Sequence, residues 1–269
     1  MIDDSWKALS PERASALTDA RLQVHHAAQL VTAFGISYLT PTHDDSHTNL
    51  AWVAELGALA SRSLNGVRLT LRVRDLTFEV GGRSLPARGR DVAAVADWIR
   101  GALSAQGVDA SRYSLDRHYE IPSHPVADGA AFDASEADLE QLSRWFADGA
   151  LLLERLRARD SRASEVRCWP HHFDIATLIT VGDERTVGVG LEPGDESYDE
   201  PYLYVNMSPR PRARAVSAVP LAGEGSWHTE GWIGAVLPGS RLRPDAEAQE
   251  AQATAFIESA VAAALALLG

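Results

Sequence analysis

Three short segments of the chain each combine a histidine, one spacer residue and a side chain with an amide or carboxyl oxygen. In an extended strand, side chains at positions i and i+2 point to the same face, with their Cα atoms about 7 Å apart. Each segment could therefore direct an imidazole and an oxygen at one point, as a metal site or an acid–base site requires. The segments, each followed by an apolar stretch, are His47-Thr48-Asn49, His172-Phe173-Asp174 and His228-Thr229-Glu230.

Imidazole nitrogens and carboxylate oxygens are common ligands of divalent metal ions. The leading hypothesis is a divalent-metal-dependent small-molecule enzyme of the hydrolase or lyase type, in which the metal activates a bound water. Zinc, iron and manganese all accept mixed nitrogen and oxygen ligands, so the sequence does not distinguish between them. The predicted metal ligands are His47, His172, Asp174 and His228.

Two further segments supply carboxyl groups and aromatic rings. The loop 192–201 carries five carboxyl side chains and leads into an aromatic segment, while Trp227 and Trp232 flank the third histidine segment. Burial between the two tryptophans would poise the carboxyl group of Glu230 for proton transfer. Glu230 or Glu196 is the predicted general base for a metal-bound water. Carboxylates beside aromatic rings also suit a cationic or polar ligand. The predicted ligand-binding residues are Asp195, Tyr198, Tyr202, Tyr204 and Trp227.

Two other hypotheses fit the same residues. The protein could be a metal-free small-molecule-binding protein whose aromatic and acidic side chains line a pocket. It could also be a structural or interaction protein in which the three segments only satisfy buried polar groups. A lone histidine is more often a packed or surface residue than a ligand. The adjacent pair His171-His172 and the recurrence of the segment favour a functional site.

The amino-acid composition is typical of a folded domain and argues against several kinds of partner and site. The chain has 269 residues, 45% hydrophobic and 23% charged, as in ordinary folded domains. Its net charge of −12 argues against nucleic acid or an anionic membrane as a partner, and a small-molecule ligand is expected instead. Because Cys168 is the only cysteine, an internal disulfide and a cysteine-based zinc site are excluded. The acidic N-terminus lacks a signal-peptide pattern, which predicts a cytoplasmic protein.

The predicted elements give an α+β fold with mainly antiparallel sheets packed by helices. Helices are predicted from residue 10 to about 32, then over 91–103, 135–157 and 246–268, the last as a buried helix rather than a membrane span. Asn65-Gly66 indicates a hairpin turn. Strands are predicted over residues 36–39, 49–59, 67–73, 76–80, 173–181, 186–191, 202–207 and 231–237.

The order helix–strands–helix occurs twice, which indicates two duplicated halves. Aligning His47 on His172 gives an offset of 172 − 47 = 125 residues, and the same offset aligns Asn49 with Asp174. The predicted halves are residues 10–106 and 135–269, joined by a connector over 107–134 that contains several prolines and little periodicity. Shared order alone could also arise in an unrelated α+β fold.

Four strings in the sequence resemble those of an uncharacterised bacterial protein family of unknown function. The strings are DDSHTNL (44–50), WPHHFDIATL (169–178), GDESY with EPY (194–198 and 200–202) and WHTEGW (227–232). The resemblance extends from about residue 20 to the C-terminal helix, and it implies a bacterial protein that functions as one unit. It implies no activity, cofactor or catalytic residue.

Overall fold

The computed structural model describes residues 5–182 and 184–269. Its helices and two antiparallel sheets confirm the predicted α+β class. The described residues divide into two compact units that interleave along the chain. The first unit contains residues 18–143 and 167–173, and the second contains residues 5–17, 144–166, 174–182 and 184–269. The predicted duplication stays a prediction.

The first unit is an antiparallel meander packed by helices. Its helices are α1 (Thr18–Tyr38) and α2 (Val92–Ala105). Helix α1 contacts the second and third strands, and α2 contacts the fourth and fifth. The five strands pair in chain order: β1 (Ala51–Val53), β2 (Ala58–Ala60), β3 (Leu69–Arg72), β4 (Thr77–Val80) and β5 (Arg83–Pro86). A further short strand, β6 (Arg167–Trp169), also belongs to this unit.

Two hairpin turns of the first sheet follow directly from the sequence. Asn65 and Gly66 have φ values of 50° and 83°, the left-handed conformation that a two-residue hairpin turn requires. Gly81-Gly82 makes the same kind of connection between β4 and β5, with φ values of 55° and 78°. Along β3, buried leucines alternate with half-buried Thr70 and Arg72, as predicted for a half-solvated strand.

Three predictions about the first unit are wrong in detail. Helix α1 continues to Tyr38, so the helix predicted to end at about residue 32, before Gly35, is longer, and the predicted strand over 36–39 does not exist. A Cβ atom at Gly35 would collide with the backbone carbonyl of His47, so this glycine permits close packing instead of ending the helix. The predicted strand over 49–59 is two short strands, β1 and β2, joined by a turn at Gly57, where φ is 59°.

The second unit consists of one sheet with helices on its apolar face. Helix α3 (Glu136–Arg159) begins in the first unit and enters the second at Arg144. The strands β7 (Asp174–Gly182), β8 (Arg185–Glu192), β9 (Tyr202–Ser208), β10 (Ser226–His228) and β11 (Gly234–Pro238) pair antiparallel in the order β10-β11-β9-β8-β7. Short helix α4 (Ala213–Val216) precedes β10, and α5 (Ala246–Leu268) ends the unit.

Strand register gives the second sheet two different faces. Leu203, Val205 and Met207 alternate along β9 with Tyr202, Tyr204 and Asn206. The first set is buried, and α5 packs against β8, β9 and β11. The second set is aligned with Glu192, Gly190 and Gly188 of β8, respectively. One face is therefore hydrophobic and covered by helices, and the other carries polar, aromatic and very small residues.

Helix α5 begins and ends where the sequence predicts. Asp245 caps its first turn by accepting a hydrogen bond from the backbone N–H of Ala248 at 2.8 Å. By length and composition alone α5 could cross a membrane, and it is the one such helix within residues 5–182 and 184–269. Its buried residues include Phe256, Ile257 and Val261, and its contacts with three strands favour the predicted buried helix.

Residues 5–17 are bound to the rest of the second unit through one buried glutamine. Gln249 of α5 is completely buried, and its amide nitrogen donates to the backbone carbonyl of Leu9 at 2.9 Å. Its amide oxygen accepts from the Leu9 N–H at 3.0 Å and from the Trp6 indole N–H at 3.1 Å. The backbone N–H of Lys7 donates to Asp148 of α3 at 2.8 Å. Residues 5–17 are thus an integral part of this unit.

Candidate functional site

Aromatic and acidic side chains collect on the face of the second sheet opposite its hydrophobic face, and in the loop beside it. The strands contribute carboxylates, tyrosines and a histidine, and the loops after β8 and β10 contribute one carboxylate and two aromatic residues. We call this set the acidic–aromatic face. Its members are Asp174, Glu192, Asp195, Tyr198, Tyr202, Tyr204, His228 and Trp232.

A glycine allows Tyr204 to reach across one strand. Tyr204 on β9 is paired with Gly190 on β8, which in turn is paired with Ala176 on β7. A Cβ at Gly190 would lie 2.6 Å from three atoms of the Tyr204 side chain, so only glycine leaves room for this ring. The ring passes over Gly190, and its hydroxyl donates a short hydrogen bond of 2.5 Å to the carboxylate of Asp174. Asp174 is itself buried.

The next tyrosine along β9 is held by the loop after β8. Tyr202 donates its hydroxyl hydrogen to Oδ2 of Asp195 at 2.8 Å. The other oxygen, Oδ1, accepts from the backbone N–H groups of Ser197 at 2.7 Å and Tyr198 at 2.9 Å. An aspartate that binds the backbone two and three residues ahead fixes the turn of its own loop. The same Asp195 carboxylate therefore both orders the loop and orients the Tyr202 ring.

A tyrosine–histidine pair forms the other end of the face. Nε2 of His228 lies 2.5 Å from the backbone carbonyl oxygen of Glu230, which can only accept, so Nε2 carries the hydrogen. In the neutral ring Nδ1 is then an acceptor, and Tyr198 donates to it at 3.0 Å. His228 also stacks on Trp232, with ring centroids 4.5 Å apart. A Cβ at Gly234 would collide with the Trp232 ring, so this glycine is needed beneath it.

The tyrosines of this face are strongly held in their neutral form. Burial, followed by the nearby carboxylates of Glu192 and Asp195, raises the pKa of Tyr202. Burial and the Asp174 carboxylate raise the pKa of Tyr204 well above its ordinary value. Burial and Asp195 also raise the pKa of Tyr198, although Arg241 opposes that effect. The hydroxyl groups therefore act as hydrogen-bond donors to their acceptors rather than as phenolates.

The extended geometry predicted for the three histidine segments is wrong. Residues 47 and 48 lie in a turn, in which the Thr48 N–H bonds the Asp45 carbonyl at 2.9 Å. Phe173 has a φ of 73°, which interrupts the extended conformation between its two neighbours. His228 ends β10, and a turn follows in which the Trp232 N–H bonds the Glu230 carbonyl at 2.8 Å. In each segment a turn occupies part of the stretch predicted to be extended.

The four predicted metal ligands are divided between the two units. His47 and His172 belong to the first unit, and Asp174 and His228 belong to the second. In the first unit, Nδ1 of buried His47 accepts a hydrogen bond from the backbone N–H of Thr42 at 3.2 Å. His172 is exposed, and its ring centroid is 4.3 Å from that of His171.

Within residues 5–182 and 184–269, no three His, Cys, Asp or Glu side chains are grouped as a metal ion would require. The metal hypothesis, with zinc, iron or manganese, stays a prediction. Elemental analysis of protein purified without a histidine tag tests it. About one equivalent of metal would support it. Protein that is nearly metal-free, and is not reconstituted by these three metals, would contradict it.

The remaining predicted residues have different surroundings. Glu196 and Glu230 are exposed in loops, and it is the Glu230 backbone carbonyl, not its carboxyl group, that contacts His228. Their role as general bases stays a prediction. Trp227 is paired with Ala235, so it points to the face opposite the tyrosines, and its indole N–H donates to the Val219 carbonyl at 2.9 Å.

Sequence reasoning did not select Glu192, Trp232 or the glycines as members of this face. Glu192 is buried at the end of β8, aligned with Tyr202. A signal for the glycines was available, because Gly188 and Gly190 alternate with valines in a strand. Glycine is unfavourable within a strand unless another group approaches closely, so this alternation indicates a surface that accommodates bulky neighbours.

No protein-family model, curated protein or solved structure matches the chain. The resemblance to an uncharacterised bacterial family therefore stays a prediction, and the candidate site depends on the geometry of this chain alone.

Proposed function

We propose that the protein binds a small organic molecule on the acidic–aromatic face. One observation carries the proposal: three tyrosines are each fixed by a hydrogen bond to a different acceptor, namely Asp174, Asp195 or His228. Ligand sites combine aromatic surface with a few precisely held polar groups. Such preorganised groups lose little conformational entropy when a ligand binds.

Partial exposure supports ligand binding over a purely structural role. Tyr198, Tyr204, His228 and Trp232 are neither fully buried nor fully exposed, and Asp195 is exposed. A network that served only to satisfy buried polar groups would be closed to solvent throughout. Glycines at positions 190 and 234 leave space for the rings at the expense of side-chain packing within the strands. These features are typical of a surface prepared to contact another molecule.

The proposal is tested by screening a chemically mixed set of small molecules by thermal unfolding and by measuring hit affinities with titration calorimetry. Tyr204→Phe removes the hydroxyl group and keeps the ring. His228→Gln removes the imidazole ring that accepts from Tyr198 and stacks on Trp232. We expect either change to weaken the hits about tenfold, or by about 1.4 kcal/mol. Tyr119→Phe is the matched control, because Tyr119 belongs to the first unit and bonds Gln29 at 2.8 Å.

Two results would contradict the proposal. One is the absence of any hit from a broad set of fragments. The other is a set of hits whose affinities are unchanged by Tyr204→Phe and His228→Gln but are lowered by Tyr119→Phe. The predicted enzyme activity and cytoplasmic location stay predictions. Turnover of a confirmed ligand, followed by mass spectrometry, would test the first of these.

A further inference from the structure

We propose that a groove between α3 and α5 binds the aliphatic chain of a single-chain anionic amphiphile, such as a free fatty acid. The groove belongs to the second unit, shares no residue with the acidic–aromatic face and does not depend on the proposed function. Three properties of the groove support the inference: the chemistry of its walls, its elongated shape and the arginines at its mouth.

Every apolar side chain that lines the groove is aliphatic. Leu152, Ile257 and Val261 are buried, and they form the part of the lining that is least accessible to water. Leu156 and Leu265 are half-buried, so each keeps apolar surface that a ligand can cover. Transfer of an alkyl chain from water to such walls is favourable, roughly in proportion to the number of methylene groups that become buried.

The groove is long, and the protein's own side chains do not fill it. Its volume is about 370 Å³, and its α5 wall extends from Thr254 to Leu265, which is about 16 Å along the helix axis. Ala262 in this wall is exposed, and its small side chain leaves the space open. Arg185 donates to the backbone carbonyl of Leu268 at 2.8 Å and so holds the end of α5 in place. This shape suits an extended chain better than a compact ring system.

The charged side chains that line the groove are Arg155, Arg159 and Glu258, so arginines outnumber glutamates on a chain whose net charge is −12. Arg155 bonds Glu250, which lies outside the lining, and Nη1 of Arg159 bonds one oxygen of Glu258 at 2.5 Å. A guanidinium group has several N–H donors in a planar fork, so Arg159 keeps donors for a second carboxylate. The Arg159 side chain is 66% exposed, which places it where the head group of a bound amphiphile would stay in water.

A second copy of the chain and a membrane are the other occupants that an apolar groove could have. A dimer with this groove on its two-fold axis would set one groove against another, and two concave surfaces do not fill each other. The net charge of −12 opposes binding to an anionic membrane. A slender anionic molecule that is free in solution fits both the walls and the arginines.

Three probes with the same alkyl chain separate the chain from the head group: octanoate, which is an anion, 1-octanol, which is neutral, and octyltrimethylammonium, which is a cation. Dissociation constants are measured by titration calorimetry at concentrations below micelle formation. We expect octanoate to bind about threefold more tightly than 1-octanol, and octyltrimethylammonium to bind weakest. Hexanoate should bind about tenfold more weakly than octanoate, because it buries two fewer methylene groups.

Ala262→Trp tests the location of the site. The alanine is exposed and lines the groove, so an indole at this position would occupy the space without entering the core. We expect octanoate and 1-octanol both to bind at least about tenfold more weakly. Ala251→Trp is the matched control, since Ala251 is exposed on the same helix and does not line the groove. Leu265→Gln, which places a polar group in the wall, provides a second variant if Ala262→Trp fails to fold.

Two substitutions of opposite sign test the role of charge at the mouth of the groove. Arg159→Gln should weaken octanoate about threefold and leave 1-octanol unchanged. Glu258→Gln should strengthen octanoate, because it removes the carboxylate that competes for Arg159. Arg157→Gln is the matched control, since Arg157 pairs with Glu154 on the same helix and does not line the groove.

Four results would overturn the inference. Octanoate that binds wild type and Ala262→Trp equally binds elsewhere. Octyltrimethylammonium that binds as tightly as octanoate would show that the groove does not select an anion. If none of the probes binds at millimolar concentration while the protein binds phosphatidylcholine vesicles, the groove meets a membrane. If none binds while sedimentation shows a dimer that Ala262→Trp dissociates, the groove is a subunit interface. The fragment screen with Tyr204→Phe decides the proposed function independently of all four.

Discussion

Acidification should destabilise the first unit through one buried histidine of α1. His25 is 3% exposed, its Nε2 lies 2.8 Å from the Pro170 carbonyl oxygen, and its ring stacks on Phe173 with centroids 4.8 Å apart. Burial lowers the pKa of His25 from 6.5 to about 3, although the hydrogen bond to the carbonyl opposes this effect. The folded protein therefore keeps His25 neutral at pH values where the unfolded chain protonates it.

The magnitude follows from the difference between the two pKa values. Above pH 6.5 the histidine is neutral in both states and the full stability is present. Between pH 6.5 and about 3 only the unfolded chain binds the proton, so the free energy of unfolding falls as the pH falls. Each pH unit is worth about 1.4 kcal/mol, which gives a loss of about 2 kcal/mol between pH 7 and pH 5.

His25→Phe isolates this contribution from that of other titrating groups. The ring stack with Phe173 can persist, and the Pro170 carbonyl still accepts a hydrogen bond from Gln29 Nε2 at 2.8 Å. Denaturant unfolding is measured at pH 7, 6 and 5 for wild type and variant. We expect the variant to lose about 2 kcal/mol less than wild type over this range. His43→Phe, a change at an exposed position, is the matched control.

His25→Phe and wild type should differ in how steeply the free energy of unfolding changes with pH, and not only in its value at one pH. A phenylalanine that packs less well would lower both ends of the range equally. If His25→Phe and wild type lose the same free energy between pH 7 and pH 5, His25 does not stay neutral in the folded state. If His43→Phe changes the slope as much as His25→Phe does, burial is not the cause.

Three further predictions concern single side chains. Burial raises the pKa of Asp148 from 3.8 to about 8, so its favourable contribution is present below pH 3.8 and is lost as the pH rises to about 8. Asp148→Asn should therefore become more stable relative to wild type by several kcal/mol between pH 4 and pH 8 in denaturant unfolding; a constant difference would contradict this. Gly190→Ala should displace Tyr204 and lower the unfolding free energy by about 1–3 kcal/mol, with weaker binding of hits from the fragment screen. Unchanged affinity for these hits would mean that the position of the Tyr204 ring does not matter for ligand binding. Gly66→Ala should cost roughly 1 kcal/mol in thermal unfolding, because φ is 83° there. No loss would mean that the turn adopts another conformation.

Local rules predicted the elements whose causes lie within a few residues. Asn65-Gly66 formed its turn, and Ser135 caps α3 by accepting from the Asp138 N–H at 3.1 Å. Helix α5 has the predicted bounds because Asp245 caps its first turn and its alanine-rich sequence contains no glycine or proline. The predictions that failed depended on tertiary contacts. Gly35 resembles a helix terminator in sequence, but the close approach of His47 explains why a glycine is there.

The candidate site was only partly predictable for the same reason. Composition indicated that the loop after β8 and the aromatic strand β9 belong together, and three of their tyrosines do lie on one face. The pairing of Tyr204 with Asp174 joins residues 30 positions apart, across a strand that lies between them. That contact requires the register of three strands and the absence of a side chain at Gly190. Spacing along the chain contains neither piece of information.

The attachment of residues 5–17 through Gln249 has a consequence for how the chain is made. Leu9 and Gln249 are 240 positions apart, so residues 5–17 are synthesised well before the glutamine that binds them. Until then the apolar residues of this segment, including Trp6 and Leu17, must remain exposed or be shielded by a chaperone. A version of the second unit made alone from residue 144 onward would lack this segment. Supplying residues 5–17 as a separate peptide would reveal whether assembly requires covalent continuity.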